Sequence, residues 1–184
     1  MASVLVPLAP GFEELEAITI IDLLVRAGIE VVSAGLVPGP VKASRGVVVT
    51  PDMALDEALK QTFDMVVLPG GQPGADHLDS DPRIQQLLKK MSANGKYTAA
   101  ICAAPKVLAN LGLLEGKMAT SYPGTFDKIE LNNSQISQQN VVTDGNVITS
   151  RGPGTAMEFA LVLIETLVGR GKRDEVAKGL LYDH

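Results

Sequence analysis

The chain has 184 residues, 46% hydrophobic and 20% charged, with a formal net charge of -5 at pH 7. That is the length and apolar content of one well-buried domain, expected over residues 1–184, and it excludes a disordered chain. No lysine or arginine cluster offers a footprint for nucleic acid, and no apolar run reaches the roughly 18 to 20 residues that span a bilayer.

Met1 to Leu8 lacks the basic start and long apolar region of a secretory signal, so no export is implied. The single cysteine makes no internal disulfide, which fits a reducing compartment, and a cytoplasmic protein is expected.

Ser3 to Ala9 is a short apolar run followed by Pro10-Gly11, and a helical pattern then extends from Glu13 to about Ala27, closed by Gly28. Ile29 to Ala34 is β-branched and bounded by Gly35, so the opening third reads as a β-α-β unit with parallel strands. Val41 to Thr50, broken at Arg45-Gly46, predicts a hairpin or irregular strand pair, and Ala54 to Lys60 a short helix. Met65 to Leu68 is a buried strand ending at Pro69-Gly70-Gly71. Ala75 to Leu78 reads as polar loop, and a helix is expected from about Pro82 to Asn94.

Tyr97 to Ile101 supplies the next strand and Ala104 to Leu111 the helix after Cys102. Past Met118 the pattern loosens until Val141 to Thr143 and Val147 to Ser150 flank Asp144-Gly145-Asn146, a two-strand turn signal. Arg151 to Thr155 leads into an amphipathic helix to about Val168, and Arg173 to Leu180 predicts a last one. This alternation gives an α/β sandwich around a mostly parallel sheet, whose ligands bind beyond the carboxyl ends of the strands.

Cys102 sits where the strand turns into the helix. Small residues on both sides and Pro105 in the first helical turn suit a crowded bend, the backbone logic of a nucleophile elbow with sulfur in place of oxygen. Unpaired N–H groups and the dipole at the helix start are expected to favour thiolate, although free cysteine is also among the most buried and inert residue types.

Ala9, Leu68, Ile101 and Ser150 all end predicted strands. The loops carrying Glu13 to Glu16, Gly70-Gly71, Cys102 and Arg151-Gly152 are therefore expected to converge. Glu13 and Glu14 read as ordinary negative charge at a helix start. Glu16 has Ile20, Leu23 and Leu24 one and two turns along, which places its carboxyl beside the apolar stripe, where a neutral acid can donate to a thiolate.

Pattern alone sets Glu16 only slightly ahead of Glu13, and Gly70-Gly71 fits a tight turn as well as an oxyanion hole. His77 reads as a surface or loop-packing residue, and His184 ends the sequence. No metal-ligand spacing and no dinucleotide fingerprint is present, so neither metal nor cofactor is expected.

The segments Pro10-Gly11-Phe12-Glu13-Glu14-Leu15-Glu16, Ser44-Arg45-Gly46, Leu68-Pro69-Gly70-Gly71, Ala99 to Pro105 and Thr149 to Thr155 resemble the ThiJ/PfpI superfamily in its DJ-one/YajL branch, over nearly the whole chain. The resemblance implies a flavodoxin-like three-layer sandwich, a homodimer, and an oxidation-sensitive Cys102. It implies Glu16 as the acid on the cysteine, the amides of Gly70, Gly71 and Ala103 as backbone donors, and Arg26 and Arg45 near the dimer interface.

Two departures matter. Protease-like members carry histidine directly after the cysteine; Ala103 stands there, which argues against peptidase activity. Tyr122 replaces a histidine near the pocket. The leading expectation is a cofactor-independent enzyme for reactive dicarbonyls such as methylglyoxal, or for their early adducts with thiols and amines (glyoxalase III-type or deglycase activity), serving oxidative-stress protection. The alternative is a redox sensor or redox-regulated chaperone through oxidation of Cys102 to sulfinic acid, and a third reading is a structural dimer with a vestigial pocket.

Overall fold

The computed structural model describes residues 1–182. Strand β1 (Ser3–Leu8), helix α1 (Glu14–Arg26) and strand β2 (Glu30–Gly35) form the expected β-α-β unit, with β1 and β2 parallel. A two-residue pair, β3 (Val41–Lys42) and β4 (Val48–Val49), is antiparallel and stands apart from the main sheet. β5 (Met53–Ala54) leads directly into α2 (Leu55–Ala58), and β6 (Met65–Leu68) is followed by α3 (Gly74–Ser80) and α4 (Pro82–Ala93).

β7 (Tyr97–Ile101) precedes α5 (Pro105–Asn110). The remaining elements are β8 (Met118–Ala119), β9 (Gln135–Ile136), β10 (Val141–Asp144), β11 (Val147–Ser150), α6 (Ala156–Val168) and α7 (Arg170–Gly179).

Among the described residues the main sheet has seven strands in the order β10-β11-β7-β6-β1-β2-β5, all parallel except the β10–β11 hairpin. The period-two alternation of each buried strand divides its side chains between two cores. Val4, Val6, Leu8, Val67 and Ile101 join the core under α1, α6 and α7. Leu5, Val66, Leu68 and Ala100 join the core under α2, α3, α4 and α5. This is the three-layer, flavodoxin-like sandwich that the sequence implied.

Three features differ from the sequence reading. Ala75 to Leu78, read as loop, lies inside α3; its polar side chains face solvent or α5 while Ala75 and Leu78 are buried, a pattern too short for periodicity to register. β5 is an edge strand of two residues. It is pinned because Asp52 accepts the Ser33 N–H at 2.8 Å and hydroxyl at 2.7 Å, while its own N–H donates to Ser33 Oγ at 3.0 Å. The small parallel pair β8–β9 lies in the stretch where the sequence pattern loosened.

From β1 the chain builds outward through β2 to β5; from β6 it builds the other way through β7 to β11. The order therefore reverses between β1 and β6, and a crevice opens at the carboxyl ends of strands at such a point. The loops after β1, β6 and β7 all meet there.

Candidate functional site

Backbone contacts assemble the site before any side chain enters it. After β1, the Gly11 N–H donates to the Lys42 carbonyl at 2.8 Å and the Ser44 N–H to the Phe12 carbonyl at 2.7 Å, which seats the β3–β4 hairpin on this loop. The Glu13 N–H donates to the Gly70 carbonyl at 2.9 Å, tying the start of α1 to the loop after β6.

That loop can come so close only because it lacks side chains. A Cβ on Gly71, whose φ is +87°, would lie 2.4 Å from the Glu13 nitrogen, and one on Gly70 would lie 2.7 Å from Cys102 Cβ and 2.8 Å from Glu16 Oε2.

Cys102 turns the chain at the end of β7. Its N–H continues the sheet to the Ser150 carbonyl at 3.0 Å, its carbonyl accepts the Tyr122 N–H at 2.8 Å, and the Ala104 N–H folds back to the Ile101 carbonyl at 3.0 Å. The resulting φ of +64° is in the left-handed region, which a non-glycine residue occupies at a cost of order 1–3 kcal/mol. Pro105 then opens α5 at a position where its missing N–H breaks no helical bond. The nucleophile elbow expected from sequence is present, and the thiol is partly exposed at its tip.

Glu16 is fully buried on the inner face of α1, beside Ala17 and Ile20. Its Oε2 accepts the Gly70 N–H at 2.7 Å, and the neighbouring Cys102 thiol favours its ionised form. Oε1 is buried without a hydrogen-bond partner among the described residues. Burial pushes Glu16 up to about 7, against the pull of the Gly70 amide and the thiol, and nearby Glu13 adds to the rise.

Burial and an ionised Glu16 push the Cys102 thiol up to about 12, while the Gly71 and Ala103 amides pull it down. The pair therefore gives up its first proton near pH 7, leaving one negative charge shared between oxygen and sulfur, and resists losing a second.

Two expectations need correction. The helix dipole was expected to favour thiolate, but α5 has six residues; the favourable donors are the two amides, and burial with Glu16 outweighs them. The Gly70 amide was expected among the oxyanion donors, but it is committed to Glu16, which leaves Gly71 and Ala103 facing the sulfur.

Other predicted residues lie further out. Arg26 is ten residues along α1 from Glu16, roughly 15 Å at 1.5 Å per residue, and pairs with Asp22 at 2.8 Å. Arg45 is 80% exposed, with its guanidinium 3.9 Å from Glu13. The Tyr122 ring packs over Gly152, and Arg151 reaches the Gln138 carbonyl at 3.4 Å; both line cavities of about 370 and 300 Å³ on the carbonyl side of Cys102.

His77 approaches the Pro10 carbonyl through Nδ1 at 2.9 Å and stabilises the β1–α1 loop, and His184 lies outside the described residues. Among the described residues, no three His, Cys, Asp or Glu side chains are grouped to hold a metal ion.

Sequence reasoning missed what Glu13, Glu14 and Ser44 do. Glu14 accepts the Arg45 N–H at 3.0 Å and the Val47 N–H at 3.4 Å, and Ser44 Oγ donates to Glu13 at 2.9 Å and to Glu14 at 3.1 Å. These carboxylates clamp the hairpin loop onto α1. Only an acidic run followed at long range by a hydroxyl in a glycine turn signals this in the sequence.

The pattern of the DJ-1/PfpI family matches residues 2–166. Protein dj-1beta of Drosophila melanogaster is 50% identical over 180 residues, covering 97% of this chain and 96% of the relative; its crystal structure superposes with a TM-score of 0.95, covering 100% and 99% of the two chains at 49% identity. The glutathione-independent glyoxalase DJR-1.2 of Caenorhabditis elegans is 41% identical over 168 residues, 91% of this chain and 89% of that one. The oxidized structure of Toxoplasma gondii DJ-1 has a TM-score of 0.95 at 40% identity, with both chains fully covered.

The raised Glu16 value makes stability depend on pH. The native state holds this proton up to about 7 and the unfolded state only to about 4.5, so between those values the native form binds more protons and its stability falls as pH rises. The loss is complete above pH 7 and reaches about 3 kcal/mol at most. Glu16→Gln removes the titration. In urea unfolding, the variant should gain stability relative to the parent between pH 5 and pH 8; a constant difference across that range contradicts the assignment.

Proposed function

The chain belongs to the DJ-1/PfpI family, and from that premise we propose that it is a cofactor-independent cysteine enzyme for reactive dicarbonyls, converting methylglyoxal to lactate. The observation that carries this reading is a buried acid poised near neutrality against a partly exposed thiol, with the Gly71 and Ala103 amides turned toward the sulfur. A relative named as a glutathione-independent glyoxalase supports the substrate class.

The chemistry closes without an external oxidant. Cys102 Sγ attacks the aldehyde carbon, a C–S bond forms, and the carbonyl electron pair moves onto oxygen, where the two amides stabilise it until Glu16 delivers a proton. The carboxylate so formed removes the hydrogen of the same carbon as a proton and returns it to the adjacent ketone carbon, while the hydroxyl proton of the first carbon passes to the ketone oxygen. The first carbon is thereby oxidised to a thioester and the second reduced to an alcohol. Water cleaves the thioester, releasing lactate and the thiol. The same thiol suits early adducts of dicarbonyls with thiols and amines, and Ala103 leaves no Cys-His dyad for peptide hydrolysis.

A second reading, redox sensing, is favoured by a partly exposed thiol with no second cysteine to resolve it and by the oxidized form of the Toxoplasma relative. Two peroxide molecules would each transfer one oxygen to the sulfur and leave as water, giving a sulfinate. We also infer a homodimer. Leu15, Ile18 and Val25 lie exposed along one side of α1, beside the exposed Val47 and Val48, an apolar face of the kind that marks an interface.

Lactate formation from methylglyoxal should disappear in Cys102→Ser and fall about 10²- to 10⁴-fold in Glu16→Gln; undiminished rates in both refute the mechanism. Graded peroxide should add two oxygens selectively at Cys102, by peptide mass spectrometry, and unselective oxidation counts against the sensor. Sedimentation velocity should give a dimer that Leu15→Asp dissociates, whereas a parent monomer at micromolar concentration removes the dimer.

A further inference from the structure

Glu13 caps the start of α1, its carbonyl accepting the Ala17 N–H at 3.0 Å, and Glu16 follows it in the first turn. Both attach to Gly70 from opposite ends of that residue: the Glu13 N–H holds its carbonyl at 2.9 Å, and the Glu16 carboxyl takes its N–H at 2.7 Å. The Glu13 side chain is only 12% exposed, and its Oε2 accepts the Ser44 hydroxyl at 2.9 Å, with the Arg45 guanidinium at 3.9 Å.

We propose that Glu13 is a positioning residue: its carboxylate, fixed by Ser44 and weakly compensated by Arg45, sets how readily Glu16 releases its proton, and so how readily Cys102 reacts. The inference rests on Glu16 and Cys102 acting as a reactive pair.

The surroundings leave Glu13 in that role. Glu14, the other acid of the turn, is spent on the Arg45 and Val47 N–H groups and the Ser44 hydroxyl. The β6–α3 loop offers Glu16 only backbone at Gly70, and the β7–α5 turn offers Cys102. From α3, His77 faces the Pro10 carbonyl and Asp76 pairs with Lys106 of α5. Arg45 is the cation at the rim, and its high exposure and 3.9 Å separation leave much of the Glu13 charge uncompensated. A carboxylate a turn away disfavours ionisation of Glu16.

The test reads the pair without requiring turnover. The rate of Cys102 alkylation by iodoacetamide should rise through a lower limb near pH 7, where the pair loses its first proton. Glu13→Gln should move that midpoint down by about 0.5 pH unit, roughly a threefold change in proton affinity. Glu13→Asp should stay near the parent, and Arg45→Ala should move the midpoint up.

An unchanged or raised midpoint in Glu13→Gln overturns the proposal, as does an equal shift in Gln and Asp, which marks a packing effect. If Glu13→Gln does not fold, a lowered or unchanged midpoint in Arg45→Ala overturns it instead. Absence of lactate formation in the parent, with these shifts intact, would instead reject the dicarbonyl substrate alone.

Discussion

The hydrogen bond from the Gly70 amide to the buried carboxyl of Glu16, 2.7 Å long and spanning 54 residues of sequence, is the contact on which the site depends. It exists only if β1 and β6 are neighbours, if α1 starts directly over their carboxyl ends, and if nothing larger than hydrogen projects from Gly70. A fully buried carboxyl with one oxygen lacking a hydrogen-bond partner is unfavourable as an anion. The Gly70 amide offsets part of that penalty, and the thiol of Cys102 a smaller part. Without that amide, burial would raise Glu16 further and favour its neutral, donating form over its basic one.

The strain at Cys102 follows from the same requirement. A β7 strand continuing in extended geometry would carry the thiol past the crevice; the left-handed turn at φ +64° stops it beside Gly70 and presents the Gly71 and Ala103 amides to the sulfur. Small residues bear this turn because the space is already filled by the β6 loop. The unfavourable backbone is held in place by regular contacts on both sides, the Ser150 carbonyl before it and the Tyr122 N–H after it. Thus regular structure on both sides holds an unfavourable backbone at the reactive residue.

Alternating strands and helices made the layers legible in the sequence, because Val4 to Leu8, Met65 to Leu68 and Tyr97 to Ile101 are short buried runs between turn residues. The cysteine elbow was legible for a similarly local reason: small residues and Pro105 fit one bend. The partner acid was legible only in part: the apolar stripe set Glu16 slightly ahead of Glu13 and the family resemblance implied it, but what separates the two physically is the placement of Gly70, whose amide meets Glu16 while Ser44 meets Glu13.

The short strands β5, β8 and β9 left no periodicity to find. Their pairing comes from long-range bonds, such as the Ser33–Asp52 exchange, that no window of sequence contains. The sign of the Cys102 perturbation was also hidden, since a dipole argument sees the helix start but not the depth of Glu16.

Carbonyl attack and peroxide oxidation make the same first demand, electron density on a sulfur whose neighbour carries the proton. They part at the second step. A hemithioacetal carries a carbon-bound hydrogen that must be removed and replaced on the next carbon, so the acid has to act as a base within the same turnover; a value near neutrality makes both directions accessible. An oxidised sulfur has no such hydrogen, and asks of Glu16 only that it donate. The poised acid is thus more than a redox sensor needs, while a partly exposed thiol without a second cysteine is open to oxidation under either reading. Under the proposed reading, carbonyl turnover accounts for Glu16, and sensitivity to peroxide follows from the partial exposure of Cys102.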